Sequence, residues 1–332
     1  MKPSNRKKRI QLTNVHSSAW EHPADRVALK SLRKVPGLDV VIRTVFGATS
    51  EKSLRLLTLA SAVRVSDKQF SRIHTLYQEA CEVLDVKEVP ELYVSQSPLL
   101  NAGAIGMDKP FITLNSSMLD TMDDNEIITV LGHELGHILS GHVLYKTLLQ
   151  ILLSVSTIAF NIPLGGVAIY SIIAALREWD RKSELSADRA GLLVSQDPEA
   201  SIHLLMKMSG GGRLQEMNLG EFMKQAEEYN NLKSLGDNIH KIMNLLWKTH
   251  PFPVIRLLEL MNWIRSGEYD AILAGNYPTE GSEFKEDMRQ AASGYATDFK
   301  STFSPILDDI KDSAGTASKK AKDFFDEFLK KG

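Results

Sequence analysis

Three histidines and a glutamate fall within the twelve residues LGHELGHILSGH, which end at His142. His133 and His137 are four residues apart, so a helix places both side chains on one face, where they can bind the same metal ion. Glu134 lies beside them, where its carboxylate can contact a metal-bound water molecule. A zinc ion lowers the pKa of such a water towards about 7, and the carboxylate can accept its proton as the water attacks a carbonyl carbon. The spacing therefore indicates hydrolytic zinc chemistry, provided that a third ligand exists.

A pair of carboxylates further along the chain is the best candidate for the third ligand. Glu184 and Asp188, in SELSAD, are four residues apart on a predicted helix. Two histidines and one carboxylate leave the fourth position of zinc open, as catalytic sites require. Asp188 can accept the second N–H of a ligating histidine and fix its tautomer. His142 lies about 140° from His137 around a continuous helix, so we predict for it a structural role or a supporting contact behind the ligands.

The order of these motifs resembles that of a known family. HELGH, ELSAD and the later HPFPVIR are similar to motifs of the gluzincin-type zinc metallopeptidases related to HtpX and the CAAX prenyl proteases. The resemblance implies that His133, His137 and Glu184 bind one zinc ion. It also implies that Glu134 is the general base and that Asp188 supports a ligand.

The resemblance extends from about Pro90 to Arg265 and implies two further parts of the site. His250 and Arg256, in HPFPVIR, are expected across the cleft, where they can stabilise the oxyanion of the tetrahedral intermediate. NAGAIG is expected to form an edge strand that pairs with an extended peptide through backbone hydrogen bonds, a mode that is nearly blind to sequence. The residues assigned to this strand are Asn101, Ala102, Gly103 and Ala104. An ordinary hairpin strand is the alternative for this stretch.

The elements around these residues predict a mainly α-helical α+β fold, with a zincin-like core and a small sheet next to the active-site helix. Apolar residues recur at helical spacing from Glu21 to about Asp85, and short strands with a turn at Gly106–Pro110 follow. A long helix then carries HELGH and continues past His142. We predict three parts, a basic flexible arm over residues 1–20, a metallopeptidase domain over 21–280 and an amphipathic helical tail over 281–332.

An uncharged segment, residues 147–176, separates the predicted ligands. A single membrane crossing is excluded because His137 and Glu184, on either side of the segment, must reach the same ion. A proline and two glycines divide it into two arms, each shorter than the roughly 20 residues of a transmembrane helix. We therefore expect an apolar helical hairpin that is buried or dips shallowly into a bilayer. Cationic residues flank it, as expected on the cytoplasmic side of a membrane, at Lys146, Arg177, Arg181 and Lys182.

Composition narrows the remaining classes of function. The net charge of −2 argues against nucleic acid as a partner. The single cysteine, Cys81, excludes an intrachain disulfide framework and a cysteine-based zinc site. No apolar segment follows the basic N-terminal residues, so no signal peptide is predicted. We expect a cytoplasmic protein, or one peripheral to the cytoplasmic face of a membrane through residues 147–176, the basic arm or the tail.

The leading hypothesis is a zinc endopeptidase that cuts unfolded or membrane-derived polypeptides in protein quality control. One alternative is a chaperone-like binding module that keeps its zinc while the apolar hairpin or a loop near Gly210–Gly212 covers the cleft. Another is a membrane-tethering scaffold that works through the basic arm and the tail. Glu134 argues against both alternatives, because a purely structural zinc site has no use for a base beside the metal.

Overall fold

A computed structural model describes residues 8–48, 50–154, 166–232 and 252–281 of the chain. The described residues form a mainly helical α+β fold with one four-stranded sheet, which confirms the predicted fold class. The helices are α1 Pro23–Leu32, α2 Leu38–Ala48, α3 Glu51–Ser61, α4 Ser71–Val83, α5 Ser116–Thr121, α6 Asp124–Leu139, α7 Val143–Ser154, α8 Gly166–Ser195, α9 Pro198–Gly210, α10 Leu219–Leu232, α11 Pro253–Arg265 and α12 Glu268–Leu273. The strands are β1 Ala62–Arg64, β2 Glu91–Ser95, β3 Ala102–Ile105 and β4 Phe111–Asn115.

The strands are ordered β1-β2-β4-β3 across the sheet, so β3 lies at an edge. β3 and β4 pair antiparallel, with Ala102 opposite Leu114 and Ile105 opposite Phe111, which confirms the predicted turn between them. β2 and β4 are parallel, whereas β1 and β2 are antiparallel. The three-residue strand β1 was not predicted, because it lies within a stretch whose pattern is helical.

α6 begins at a capping box and ends earlier than predicted. The Asp123 side chain accepts the backbone N–H groups of Asn125 and Glu126, and the Glu126 side chain accepts the N–H of Asp123. The prediction of one helix continuing past His142 was wrong. Gly141 has φ +69°, a left-handed conformation that ends the helix, and α7 begins two residues later. Because α6 ends before His142, the angle of about 140° that a continuous helix would give does not apply to this residue.

The close packing of α6 on α8 holds the two ligand-bearing helices together. A Cβ added at Gly132 would lie 2.5 Å from the Cβ of Val194, and one added at Gly136 would lie 2.5 Å from the Cβ of Ala190. Both glycines therefore permit an approach that a larger residue would prevent.

Two hydrophobic clusters meet along α8. The larger one joins the sheet with α4, α6, α9, α11 and the last turns of α8. The smaller one joins α1, α2, α7 and the first half of α8. The metal-ligand candidates lie on the middle of this helix and on α6, so packing on both sides of them fixes their position.

The N-terminal residues correct one part of the predicted domain organisation. Residues 8–20 were predicted within a flexible arm, but Leu12 and Trp20 are buried in the larger cluster. Arg9 donates hydrogen bonds to the carbonyl of Ser195 and to the Asn125 side chain. This segment is therefore part of the folded body. Residues 1–7 of the arm and residues 282–332 of the predicted tail lie outside the described residues.

The apolar segment is described over residues 147–154 and 166–176. Its second arm runs without interruption into the helix that carries Glu184, since α8 is a single helix. Among the described residues no helix combines the length and the apolar character that a membrane crossing needs. Of the cationic residues that flank the segment, Lys146 pairs with Asp180 and Arg181 with Glu178, and membrane contact of the segment stays a prediction.

Candidate metal centre

The three predicted ligands come together between α6 and α8. One ligand atom from each of His133, His137 and Glu184 lies within 4.8 Å of the others, and all three residues are buried. The His133 Nε2 atom is 3.5 Å from Glu184 Oε2, and the His137 Nε2 atom is 3.3 Å from Glu184 Oε1. The two ring nitrogens and the carboxylate therefore face one point, as a shared metal ion requires.

Two buried polar atoms test whether a metal ion fits this point. His137 Nε2 and Glu134 Oε2 are buried, and neither makes a hydrogen bond within the described part of the chain. Such atoms normally have a partner, because an unsatisfied buried group costs free energy. A metal ion bound by His137, with a water molecule beside it that contacts Glu134, would satisfy both. Two imidazoles and one carboxylate are a donor set that zinc accepts, so the residues fit the ion.

Asp188 holds the first histidine ligand. His133 Nδ1 is 3.1 Å from Asp188 Oδ1, so the ring can donate its Nδ1–H there and leave the Nε2 lone pair to a metal. Arg256 donates to the same carboxylate through Nε to Oδ2 at 2.7 Å and Nη2 to Oδ1 at 2.5 Å. Asp188 thus lies within hydrogen-bond distance of His133, and its support of a metal ligand stays a prediction.

His142 and Asp25 form the matching support of the second histidine. His137 Nδ1 is 3.0 Å from His142 Nδ1, and His142 Nε2 is 3.0 Å from Asp25 Oδ2. If His142 donates Nε2–H to the Asp25 carboxylate, its Nδ1 accepts the N–H of His137, and His137 Nε2 is left bare for a metal. Asp25 is itself fixed by hydrogen bonds from Trp179 and Ser186. Sequence reasoning missed Asp25, which lies on α1 and has no local motif.

The surroundings of the two histidines shift their pKa values in opposite directions. Burial opposes protonation of His133, but the hydrogen bonds to Asp188 and Glu184 outweigh it and raise the His133 pKa to about 9. Burial and the neighbouring Lys146 hold the pKa of His137 well below 6.5. Burial would raise the pKa of Asp188, but the charge and hydrogen bonds of Arg256 lower it. Metal binding therefore competes with a proton mainly at His133.

Two buried cations contact Glu184. The Lys146 Nζ atom donates to Glu184 Oε1 and to Asp180 Oδ1, each at 2.7 Å. Arg256 Nη1 lies 2.9 Å from Glu184 Oε2. Arg256 was expected to face an oxyanion across the cleft. In the structure its guanidinium contacts Asp188 and Glu184 and also lines the pocket next to Glu134, and its oxyanion role stays a prediction. His250, its predicted partner, lies outside the described residues.

A small pocket opens beside the candidate base. Its polar end is formed by His133, Glu134 and Arg256, and Ala102 of the edge strand forms part of its wall. The rest of the lining is apolar and comprises Met118, Val130, Leu204, Leu205 and Met208. Next to this strand, the Asn101 Oδ1 atom is buried and makes no hydrogen bond with a described residue. The predicted substrate strand thus borders both the pocket and the candidate ligands.

Comparison with known proteins agrees with this geometry. Residues 67–264 match peptidase family M48. The plastoglobule-localized metallopeptidase 48, chloroplastic, of Arabidopsis thaliana is 36% identical over 261 residues, which cover 76% of this chain and 74% of the relative. A protease HtpX homolog of Polynucleobacter necessarius is 26% identical over 64% of this chain and 81% of its own length. Protease HtpX homolog 2 of Methanosarcina acetivorans is 23% identical over 59% of this chain and 74% of the relative. No solved structure matches the chain significantly.

Proposed function

The chain belongs to peptidase family M48 and is a metalloprotease, and we propose that it is a zinc endopeptidase with one zinc ion held by His133, His137 and Glu184. The observation that carries this proposal is the convergence of three ligand atoms within 4.8 Å beside a buried carboxylate. That carboxylate, Glu134, is the proposed general base. Zinc would lower the pKa of a water molecule and polarise the scissile carbonyl.

The protein's own residues would orient the reactants and move the proton. The unpartnered Glu134 Oε2 atom is positioned to accept the proton of the attacking water and to return it to the leaving amine. Asp188 and His142 would keep the ligating rings in the tautomer that presents Nε2. Arg256 would hold Asp188 and Glu184 in place, and the oxyanion contact predicted for His250 and Arg256 stays part of the proposal.

The substrate would bind as an extended polypeptide along β3. In the described part of the chain β3 pairs with β4 alone, so its other edge is available for backbone hydrogen bonds from residues 102–104. The buried Asn101 side chain offers an unsatisfied acceptor beside that edge. The adjoining pocket has mostly apolar walls, so it suits an apolar side chain next to the scissile bond.

Unfolded or membrane-derived substrates, and a role in quality control, are further parts of the proposal; they are supported by a strand edge that would bind any extended backbone almost without regard to its sequence. A peripheral position on the cytoplasmic face of a membrane stays part of the proposal, and contact with an apolar surface is supported by α3, none of whose residues is buried. On that helix Leu56 is 55% exposed and Leu57 is 68% exposed. Exposed apolar side chains of this kind favour contact with another apolar surface.

Metal removal and one ligand variant test the proposal together. We expect EDTA to abolish cleavage of casein by the purified full chain, and stoichiometric zinc to restore it. Glu184→Gln should lose both the zinc and the cleavage. Glu199→Gln, at a carboxylate whose side chain is 81% exposed, should keep both. Wild type that holds zinc but cuts nothing would support the binding-module alternative, and cleavage that survives complete removal of metal would refute a zinc mechanism.

A further inference from the structure

Three carboxylates stand in a row along α8, and a cation fills each gap between them. Asp180, Glu184 and Asp188 are spaced four residues apart, so they project from one face of the helix. Lys146 contacts the first two, with 2.7 Å to each. Arg256 contacts the second two, with 2.9 Å to Glu184 and 2.5 Å to Asp188. Each oxygen of Glu184 thus has a cation beside it.

We propose that Lys146 is a resident counter-ion of Glu184, which keeps the metal centre assembled when it holds no metal and, as a consequence, weakens its affinity for zinc. This inference rests on the proposed zinc site. It assigns to Lys146 a positioning role that acts through Glu184, and it makes zinc occupancy reversible without loss of the fold.

The burial of Glu184 is the first reason for this role. Its side chain is 0% exposed, and a buried carboxylate without a nearby positive charge is strongly unfavourable. Lys146 is also nearly buried, with 13% of its side chain exposed, and so the pair is poorly screened by water. In the empty site Lys146 and Arg256 therefore supply the positive charge that a metal ion would otherwise bring.

The second reason is that Lys146 contacts a Glu184 oxygen that also faces one of the candidate histidine ligands. Glu184 Oε1 is 2.7 Å from Lys146 Nζ and 3.3 Å from His137 Nε2. A zinc ion bound to His137 and Glu184 would lie within a few ångströms of the ammonium group and be repelled by it. Removing the lysine charge therefore destabilises the empty site and favours the loaded one, so both effects increase zinc affinity.

Substitution of Lys146 distinguishes this role from a purely structural one, in which Lys146 only holds α7 against α8. We expect the full chain carrying Lys146→Met to bind zinc at least about tenfold more tightly than wild type, in competition with a chromophoric zinc chelator. Its metal-free form should melt at a lower temperature than metal-free wild type, whereas the zinc-loaded forms should differ much less. Lys146→Arg keeps the charge and should stay close to the wild-type zinc affinity.

Lys207 provides a matched control. It is another largely buried lysine, 12% exposed, whose Nζ lies 2.7 Å from the buried Glu126 away from the ligands. Lys207→Met should lower the melting temperatures of the metal-free and zinc-loaded forms alike and leave the zinc affinity unchanged. If Lys146→Met does not fold, the double variant Lys146→Met with Asp180→Asn removes the whole ion pair and is expected to bind zinc more tightly as well.

Unchanged or weaker zinc binding by the Lys146→Met chain, or by the double variant, would overturn the inference. Unchanged binding would mean that Lys146 is a structural brace, and weaker binding would mean that it supports the bound metal. Either result with a zinc-binding wild type would leave the proposed function intact. Wild type that binds no zinc would overturn both the inference and the proposed function.

Discussion

Substitution of Asp188 by asparagine removes one charge from the support of the metal centre and almost no volume. Asp188 accepts His133 Nδ1 at 3.1 Å and two nitrogens of Arg256, and it is only 7% exposed. The single asparagine oxygen can replace only one of the two carboxylate oxygens that accept these donors. Its amide nitrogen must then face a remaining donor, so at least one hydrogen bond is lost and the Arg256 charge is left partly uncompensated.

The size of the effect follows from the burial of this pair. Breaking a buried ion pair on one side costs about 3–5 kcal/mol. For a chain of this size that corresponds to a fall in melting temperature of about 4–7 °C. Loss of the carboxylate that orients His133 should also weaken zinc binding by about 10- to 100-fold.

Thermal unfolding of the metal-free chain and zinc competition with a chelator measure the two effects separately. Asp120→Asn, at an exposed carboxylate on α5, is the matched control and should behave as wild type. If Asp188→Asn melted within about 2 °C of wild type and bound zinc equally well, the reasoning that Asp188 fixes His133 and balances Arg256 would be refuted.

Other parts of the structure give three shorter predictions. Gly136→Ala should lower the free energy of unfolding by about 1–3 kcal/mol in urea titrations, because the new methyl group has no room against α8; a wild-type midpoint would contradict that packing. Burial would raise the pKa of Asp25, but His142 lowers it below 3.8. The ionised Asp25 carboxylate therefore stabilises the fold above pH 3.8, and this stabilisation is lost as the pH falls through the lower pKa of the folded state. The Asp25→Asn variant should lack this part of the loss of stability in acid. Met208→Trp should fill the apolar pocket and reduce cleavage of peptides with large apolar residues at the scissile bond more than that of alanine peptides.

The spacing of residue types along the sequence was sufficient to predict those helices, turns and site residues that are determined by nearby residues in the chain. The four-residue spacing of His133 and His137 determines a shared helical face whatever surrounds it. The capping residues before α6 and the turn between β3 and β4 are equally local signals. The four-residue spacing of Glu184 and Asp188 on a second predicted helix likewise made Glu184 the best candidate for the third ligand, and the family resemblance implied it.

Long-range contacts explain what the sequence did not reveal. Asp25 reaches His142 across more than a hundred residues, and nothing in its own helix indicates a buried carboxylate. Lys146 was interpreted from its place beside an apolar segment, whereas its partners, Asp180 and Glu184, are brought to it by the packing of α7 on α8. The left-handed Gly141 ended a helix that the apolar pattern continued, since a glycine is compatible with both conformations.

The role of Glu134 is the central claim, and one paired measurement on the Glu134→Gln variant tests it most directly. Zinc content and the rate of casein cleavage are measured on the same preparations of variant and wild type. The account predicts one zinc ion per chain in both, with cleavage by the variant reduced by about a hundred- to ten-thousandfold. A variant that retains its zinc and cleaves at the wild-type rate would contradict it.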